Sequence, residues 1–127
     1  MIKFARDDSE AKKKLLQREK RAWIDVWKRP ARIQQLGGAH ALVMPYVQPC
    51  PAEVKDDPVV IEAVKGGIRK LADHCLQHND LKWEHVGLYM QKGETKAVLF
   101  DLAASESLDL LAKQVAVEKM LADLQLN

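Results

Sequence analysis

The sequence predicts an α+β fold. Three segments carry apolar residues at the three- and four-residue spacing of a helix buried on one side. Between them lie short apolar or weakly alternating runs bounded by Gly, Pro and Asp, which read as strands. The order is strand, helix, two strands, proline hinge, helix, acidic loop, hairpin, helix. A chain of 127 residues, 47% hydrophobic and 30% charged, suits one domain with a modest core.

Each element has a local reason. Ile2 to Ala5 reads as a short strand that ends at Arg6-Asp7-Asp8-Ser9. Asp8 or Ser9 then caps a helix with Glu10 in its first turn, running to about Lys28. Leu15, Leu16, Glu19, Trp23, Val26 and Trp27 give that helix a mixed face. Pro30 stops it, because proline cannot continue the hydrogen-bond ladder. Ala31 to Leu36 and His40 to Val47 read as strands joined by the turn Gly37-Gly38. Pro45, Pro49 and Pro51 exclude helix and mark a hinge, which divides the chain into 1–47 and 48–127.

Asp57-Pro58 opens a second helix, with proline tolerated in the first turn. Val60, Val64, Ile68, Leu71 and Cys75 form its buried face. Gly66-Gly67 inside it costs roughly 1 kcal/mol per glycine relative to alanine. After Gln77 comes a polar loop with His78 and Asp80. His85 to Met90 and Thr95 to Phe100 are strands around the turn Lys92-Gly93-Glu94. Ser105 and Glu106 start a last helix carrying Leu108, Leu111, Val115, Met120, Leu121 and Leu124.

Several function classes are disfavoured. A net charge of +2 does not point to nucleic acid, and Lys12-Lys13-Lys14 reads as a solvated helix face. Cys50 and Cys75 form no C-x-x-C pair and no His lies at metal-finger spacing, so the thiols read as reduced and the protein as intracellular and cytoplasmic. No apolar stretch approaches membrane-spanning length, and Met1 to Ala5 is too short for a signal peptide.

The chemistry concentrates in two places. His78-Asn79-Asp80-Leu81-Lys82 puts an acid and a base in one turn, and Asp101 closes the apolar run Ala97-Val98-Leu99-Phe100. Phosphoryl transfer from ATP needs two carboxylates, one to accept a hydroxyl proton and one to hold Mg²⁺.

These residues and the element order resemble the eukaryotic-type protein kinase fold. Ile2-Lys3 is similar to the end of the family's V-A-I-K strand, and Glu19 is the better match for the glutamate that holds the lysine, with Glu10 the weaker one. Leu42-Val43-Met44-Pro45-Tyr46-Val47 resembles the strand and hinge that carry adenine. His78 to Val86 resembles the catalytic loop, and Phe100-Asp101-Leu102-Ala103 sits where D-F-G would be. The hinge and loop also resemble kinase-like domains of crinkler-type effectors.

The resemblance implies a Ser/Thr-type phosphotransferase using ATP and Mg²⁺, with the nucleotide site at the hinge. Lys3 would pair the phosphates and Glu19 would hold Lys3. Met44, Pro45, Tyr46 and Val47 would line the adenine, through the Pro45 carbonyl and the Val47 N–H. Asp80 would be the base, Lys82 would neutralise the transferring group, and Asp101 and His85 would face the metal.

The sequence also departs from the family. His85 stands where the family has Asn, and imidazole is a poorer ligand for hard Mg²⁺. Leu102-Ala103 replaces Phe-Gly, no Gly-rich loop precedes Lys3, and no A-P-E follows Asp101. The chain therefore reads as a truncated or degenerate kinase core whose open sheet edge invites self-association or a partner strand.

Three rival readings follow: a nucleotide-binding pseudokinase, a small-molecule kinase of the aminoglycoside-phosphotransferase type, and a helical interaction protein. The residues also have plain roles open to them. Asp80 can cap a turn, Asp101 can end a strand, Lys3 can be an exposed lysine, Glu19 can pair along its own helix, and Trp23 and Trp27 can pack in a core.

Overall fold

The computed structural model describes residues 1–5, 9–102, 106–107 and 112–126. It is a mixed α+β structure with two three-stranded antiparallel sheets and one two-stranded antiparallel pair among the described residues, and the chain divides into two compact units, Met1–Tyr46 and Val47–Asn127. No helix among the described residues is long and apolar enough to cross a membrane.

The first unit holds β1 (Ile2–Phe4), α1 (Glu10–Arg21), β2 (Arg32–Leu36) and β3 (Ala39–Val43). Its sheet has the order β1-β3-β2, with Lys3 opposite Leu42 and Ile33 opposite Leu42 on the other side. Gly37 and Gly38 both take positive φ, 58° and 83°, the left-handed pair that a two-residue hairpin turn requires. Ser9 caps α1, its Oγ accepting from the Lys12 N–H at 3.3 Å. Arg6, Asp7 and the other cap candidate, Asp8, lie outside the described residues.

Two expectations are corrected here. The first α-helix ends at Arg21 and continues as a π turn over Ala22–Val26, the Trp27 N–H reaching back to the Ala22 carbonyl at 3.0 Å. Apolar spacing does not register this change, because a single wider turn keeps Trp23, Val26 and Trp27 on the buried side. β3 ends at Val43 rather than Val47: Met44 still exchanges both backbone hydrogen bonds with Met1, and Pro45 has no N–H to extend the ladder. The core is Leu16, Trp23, Val26, Trp27, Ala41 and Leu42.

The second unit holds β4 (Gln48–Pro49), α2 (Pro58–Asp73), β5 (Leu76–Gln77), β6 (Val86–Gln91), β7 (Glu94–Leu99), β8 (Glu106–Ser107) and α3 (Lys113–Asp123). Strands β4-β6-β7 form one sheet, and β5 pairs with β8. Asp57 caps α2 by accepting from the Val59 N–H at 2.9 Å, and Pro58 fills the first turn. Val60, Val64, Ile68 and Leu71 are buried on the face of α2 that packs against β7. Cys75 is not on that face: it lies past the helix end with φ 61°.

The two glycines of α2 differ. A Cβ on Gly67 would stand 3.2 Å from the Ala97 carbonyl oxygen, so this glycine sets how closely the helix approaches β7. A Cβ on Gly66 would meet no atom within 4 Å. Gly66→Ala should therefore stabilise the protein by about 0.5–1 kcal/mol, seen as a higher urea midpoint, because it lowers unfolded-chain entropy without a clash. Gly67→Ala should show no such gain. Gly87 in β6 is more tightly constrained still, since a Cβ there would collide with the Val47 side chain.

The last helix is also corrected. Glu106–Ser107 pairs as a strand with Leu76–Gln77, and the α-helix begins only at Lys113. Ala116 and Met120 are its buried residues, with Leu124 buried at its C-terminal cap, whereas Val115 is 67% exposed. Ser105, Leu108 and Leu111 lie outside the described residues.

Candidate functional site

In the first unit, the antiparallel register centres Lys3 in β1, and Glu19 lies on α1. Lys3 Nζ donates to Glu19 Oε2 at 2.9 Å, the lysine side chain 29% exposed and the glutamate side chain 2%. A carboxylate so deeply buried needs a charged partner, because uncompensated burial of an ion is costly. Glu10 instead lies 3.6 Å from Lys13 on the exposed start of the helix. Of the hinge residues, Met44 is buried and its carbonyl accepts from the Met1 amino group at 2.9 Å. Pro45 is half-buried, and Tyr46 is exposed. Val47, the first residue of the second unit, is buried against Gly87.

In the second unit, two histidines organise the loop. His78 is 1% exposed. Its Nδ1 accepts from the Asp80 N–H at 3.1 Å, so Nε2 carries the proton and donates to the Phe100 carbonyl at 2.7 Å. This bridge joins the start of the loop to the end of β7. His85 stacks on His78 with ring centroids 5.6 Å apart and meets Phe100 edge-on at 6.0 Å. Its Nδ1–H donates to the Asp80 carbonyl at 2.8 Å, and its Nε2 lies 3.1 Å from Asp101 Oδ2.

The Asp80 backbone is thus held on both sides, by His78 through its N–H and by His85 through its carbonyl. The side chains of Asp80 and Lys82 remain exposed. Leu81 between them is buried and pins the turn. Asp101 adopts φ 61°, an unfavourable conformation for a non-glycine residue that orients its carboxylate toward His85. Beside Lys82 lies a groove of about 690 Å³, lined among others by Cys50, Lys55, Trp83 and Leu124. Trp83 Nε1 donates to the Leu124 carbonyl at 3.3 Å and anchors this edge to the end of α3. Burial pushes the Cys50 thiol up from its ordinary range, so it stays protonated at neutral pH.

Burial holds the His78 imidazole below its ordinary value of 6.5, and nearby His85 adds to this; the Phe100 carbonyl, Asp101 and Asp80 oppose it. The folded state therefore resists a proton that the unfolded chain accepts. Stability is fully present above about pH 6.5 and is lost as the pH falls from there through the lower folded-state value. Urea midpoints measured from pH 7.5 to 5 should decline through that window, and His78→Gln should flatten the slope.

The structure thus brings together His85 and Asp101 by side chain, and Asp80 with His85 by backbone. Asp101 offers a carboxylate oxygen that suits Mg²⁺, whereas the nitrogen of His85 does not. Among the described residues no group of three or more His, Cys, Asp or Glu could hold a metal ion. Sequence reasoning missed the roles of Phe100 and Trp83. Both act through contacts distant in sequence, and no local pattern signals them.

The model of a family of unknown function (DUF5898) matches residues 1–89. The chain belongs to this family. Membership of the DUF5898 family covers Lys3, Glu19, the hinge and the loop from His78 to His85, while Asp101 lies beyond the matched residues. No curated protein matches the chain.

Proposed function

We propose that this DUF5898 protein has a protein-kinase-like core and is a phosphotransferase that moves the γ-phosphoryl group of ATP to a hydroxyl. The observation that carries the proposal is the double clamp on Asp80. Two histidines fix its backbone while its carboxylate stays exposed, and one of them also meets Asp101. A turn built only for stability has no need to present a bare carboxylate from so constrained a backbone.

The residues then take these roles. Asp80 accepts the proton of the acceptor hydroxyl as its oxygen bonds to the γ-phosphorus and the bond to the β-phosphate oxygen breaks, releasing ADP. Lys82 neutralises charge on the transferring group. Lys3, oriented by Glu19, pairs the nucleotide phosphates, and the Pro45 carbonyl and Val47 N–H bind adenine. A bound divalent cation would offset phosphate charge, and Asp101 with His85 would face it. The groove beside Lys82 has room for an acceptor side chain. A Ser or Thr of a protein is the acceptor of choice.

A second reading, a nucleotide-binding pseudokinase, is favoured by one observation: Asp101 is already engaged by an imidazole rather than by an amide. Calorimetric titration of ATP with Mg²⁺ or Mn²⁺ tests both. Binding heat is expected for the wild type, and affinity at least about tenfold lower for Asp101→Asn. Absence of heat with either ion removes both readings. Binding without any phosphate transfer selects the second.

A further inference from the structure

We infer that the groove between α2 and the edge strand β7 docks an extended segment of a partner protein, one that carries a basic and an acidic residue four positions apart. The groove shares no described residue with the loop from His78 to His85, and the inference does not depend on the proposed function.

The groove holds about 860 Å³, more than the one beside Lys82. Gly66 lines it, exposed in the middle of α2. A glycine there weakens the helix relative to alanine, so it needs a reason. Its neighbour Gly67 has one inside the fold, the Ala97 carbonyl. Gly66 has none, because a Cβ there would meet no atom within 4 Å. What a bare position does permit is the close approach of another backbone.

The opposite wall is a sheet edge. Among the described strands, β7 pairs with β6 alone. The Phe100 N–H donates to the His85 carbonyl at 2.9 Å, which sets the phase of the ladder. Glu94, Lys96 and Val98 therefore exchange bonds with β6, and Thr95 turns its N–H and carbonyl to the other side. Gly67 of α2 closes that side at Ala97, while Thr95 lines the groove. An extended segment can pair there, since strand addition draws its affinity from main-chain bonds. A helix cannot, because its main-chain groups bond to one another.

Charge selects the segment. Lys96 and Glu94 lie 2.9 Å apart and offset each other. On α2, Glu62 is the groove's one charge before Gly66, whereas Arg69, Lys70 and Asp73 follow it and leave one cation in excess. Glu62, Gly66 and Lys70 succeed one another at four-residue steps, on one stripe of the helix. At 1.5 Å per residue, Glu62 and Lys70 are about 12 Å apart along the axis. An extended chain covers that distance in about four residues, and residues four apart share a face. A basic side chain thus meets Glu62, an acidic one meets Arg69 and Lys70, and the residue midway between them lies over Gly66.

The test selects a phage-displayed library of random peptides, each of about ten residues, on the full chain, and titrates the enriched peptides by fluorescence anisotropy. The enriched peptides should carry a base and an acid four positions apart. Peptide should slow exchange of the Thr95 amide in the wild type at least about tenfold, the mark of an added strand. Gly66→Leu should weaken binding at least about tenfold by filling the groove, yet unfold at no lower urea concentration, because leucine is the better helix former. Lys70→Glu should also weaken binding, and a peptide whose acid is replaced by lysine should restore it. The amide measurement needs no substitution, so it decides even where a variant folds poorly. Failure to enrich any peptide, equal binding by Gly66→Leu, or binding that leaves the Thr95 amide unprotected overturns the inference. A Thr95 amide protected by raising the concentration of the chain alone, with no peptide enriched, overturns it in favour of a second copy.

Discussion

Replacing Asp80 with alanine should lower ATP-dependent phosphate transfer by about 10²- to 10⁴-fold and leave nucleotide affinity within about threefold of the wild type. The measurement is autophosphorylation, or transfer to a generic protein acceptor, beside nucleotide titration of the same sample. The expectation of a clean separation comes from how the residue is held. The loop uses the N–H and carbonyl of Asp80, not its side chain, for its bonds to His78 and His85. An alanine keeps both, so the backbone path and thermal stability should persist. What disappears is the exposed carboxylate alone. Transfer that survives the substitution would remove Asp80 as the base, whatever the fold.

The same loop shows what the sequence could disclose. His78, Asp80 and His85 stood out because titratable residues clustered between a helix and a hairpin. Local spacing could not show that His78 would bond a carbonyl 22 positions away, which makes it a neutral brace rather than a reacting group. Strands signalled by glycine turns were legible, as at Gly37-Gly38 and Lys92-Gly93, because a left-handed turn pair favours glycine. The strands β4, β5 and β8, of two residues each, were not, since they exist only through their partners. Glu106 illustrates the conflict: next to Ser105 it reads as a helix start, yet it pairs with Gln77. The π turn at Ala22–Val26 and the positive φ of Cys75 and Asp101 also lack a sequence cue, because tertiary packing imposes them on ordinary residues.

Lys3→Met should destabilise the protein by about 3 kcal/mol, the lower end of the cost of breaking a buried ion pair. The lower end applies because the Lys3 side chain keeps 29% exposure and is partly solvated, whereas Glu19 keeps 2%. The substitution removes the ammonium 2.9 Å from Glu19 Oε2 and leaves a carboxylate enclosed by the first unit's core. The double variant Lys3→Met/Glu19→Leu should recover most of that loss, since well-packed apolar replacements of a buried pair are often neutral. Denaturant unfolding of the wild type, the single variants and the double variant closes the cycle. The two roles of the pair then separate. A purely structural ion pair predicts that ATP affinity returns with stability in the double variant. A phosphate-binding lysine predicts that stability returns and affinity does not, and the second outcome is the one expected here.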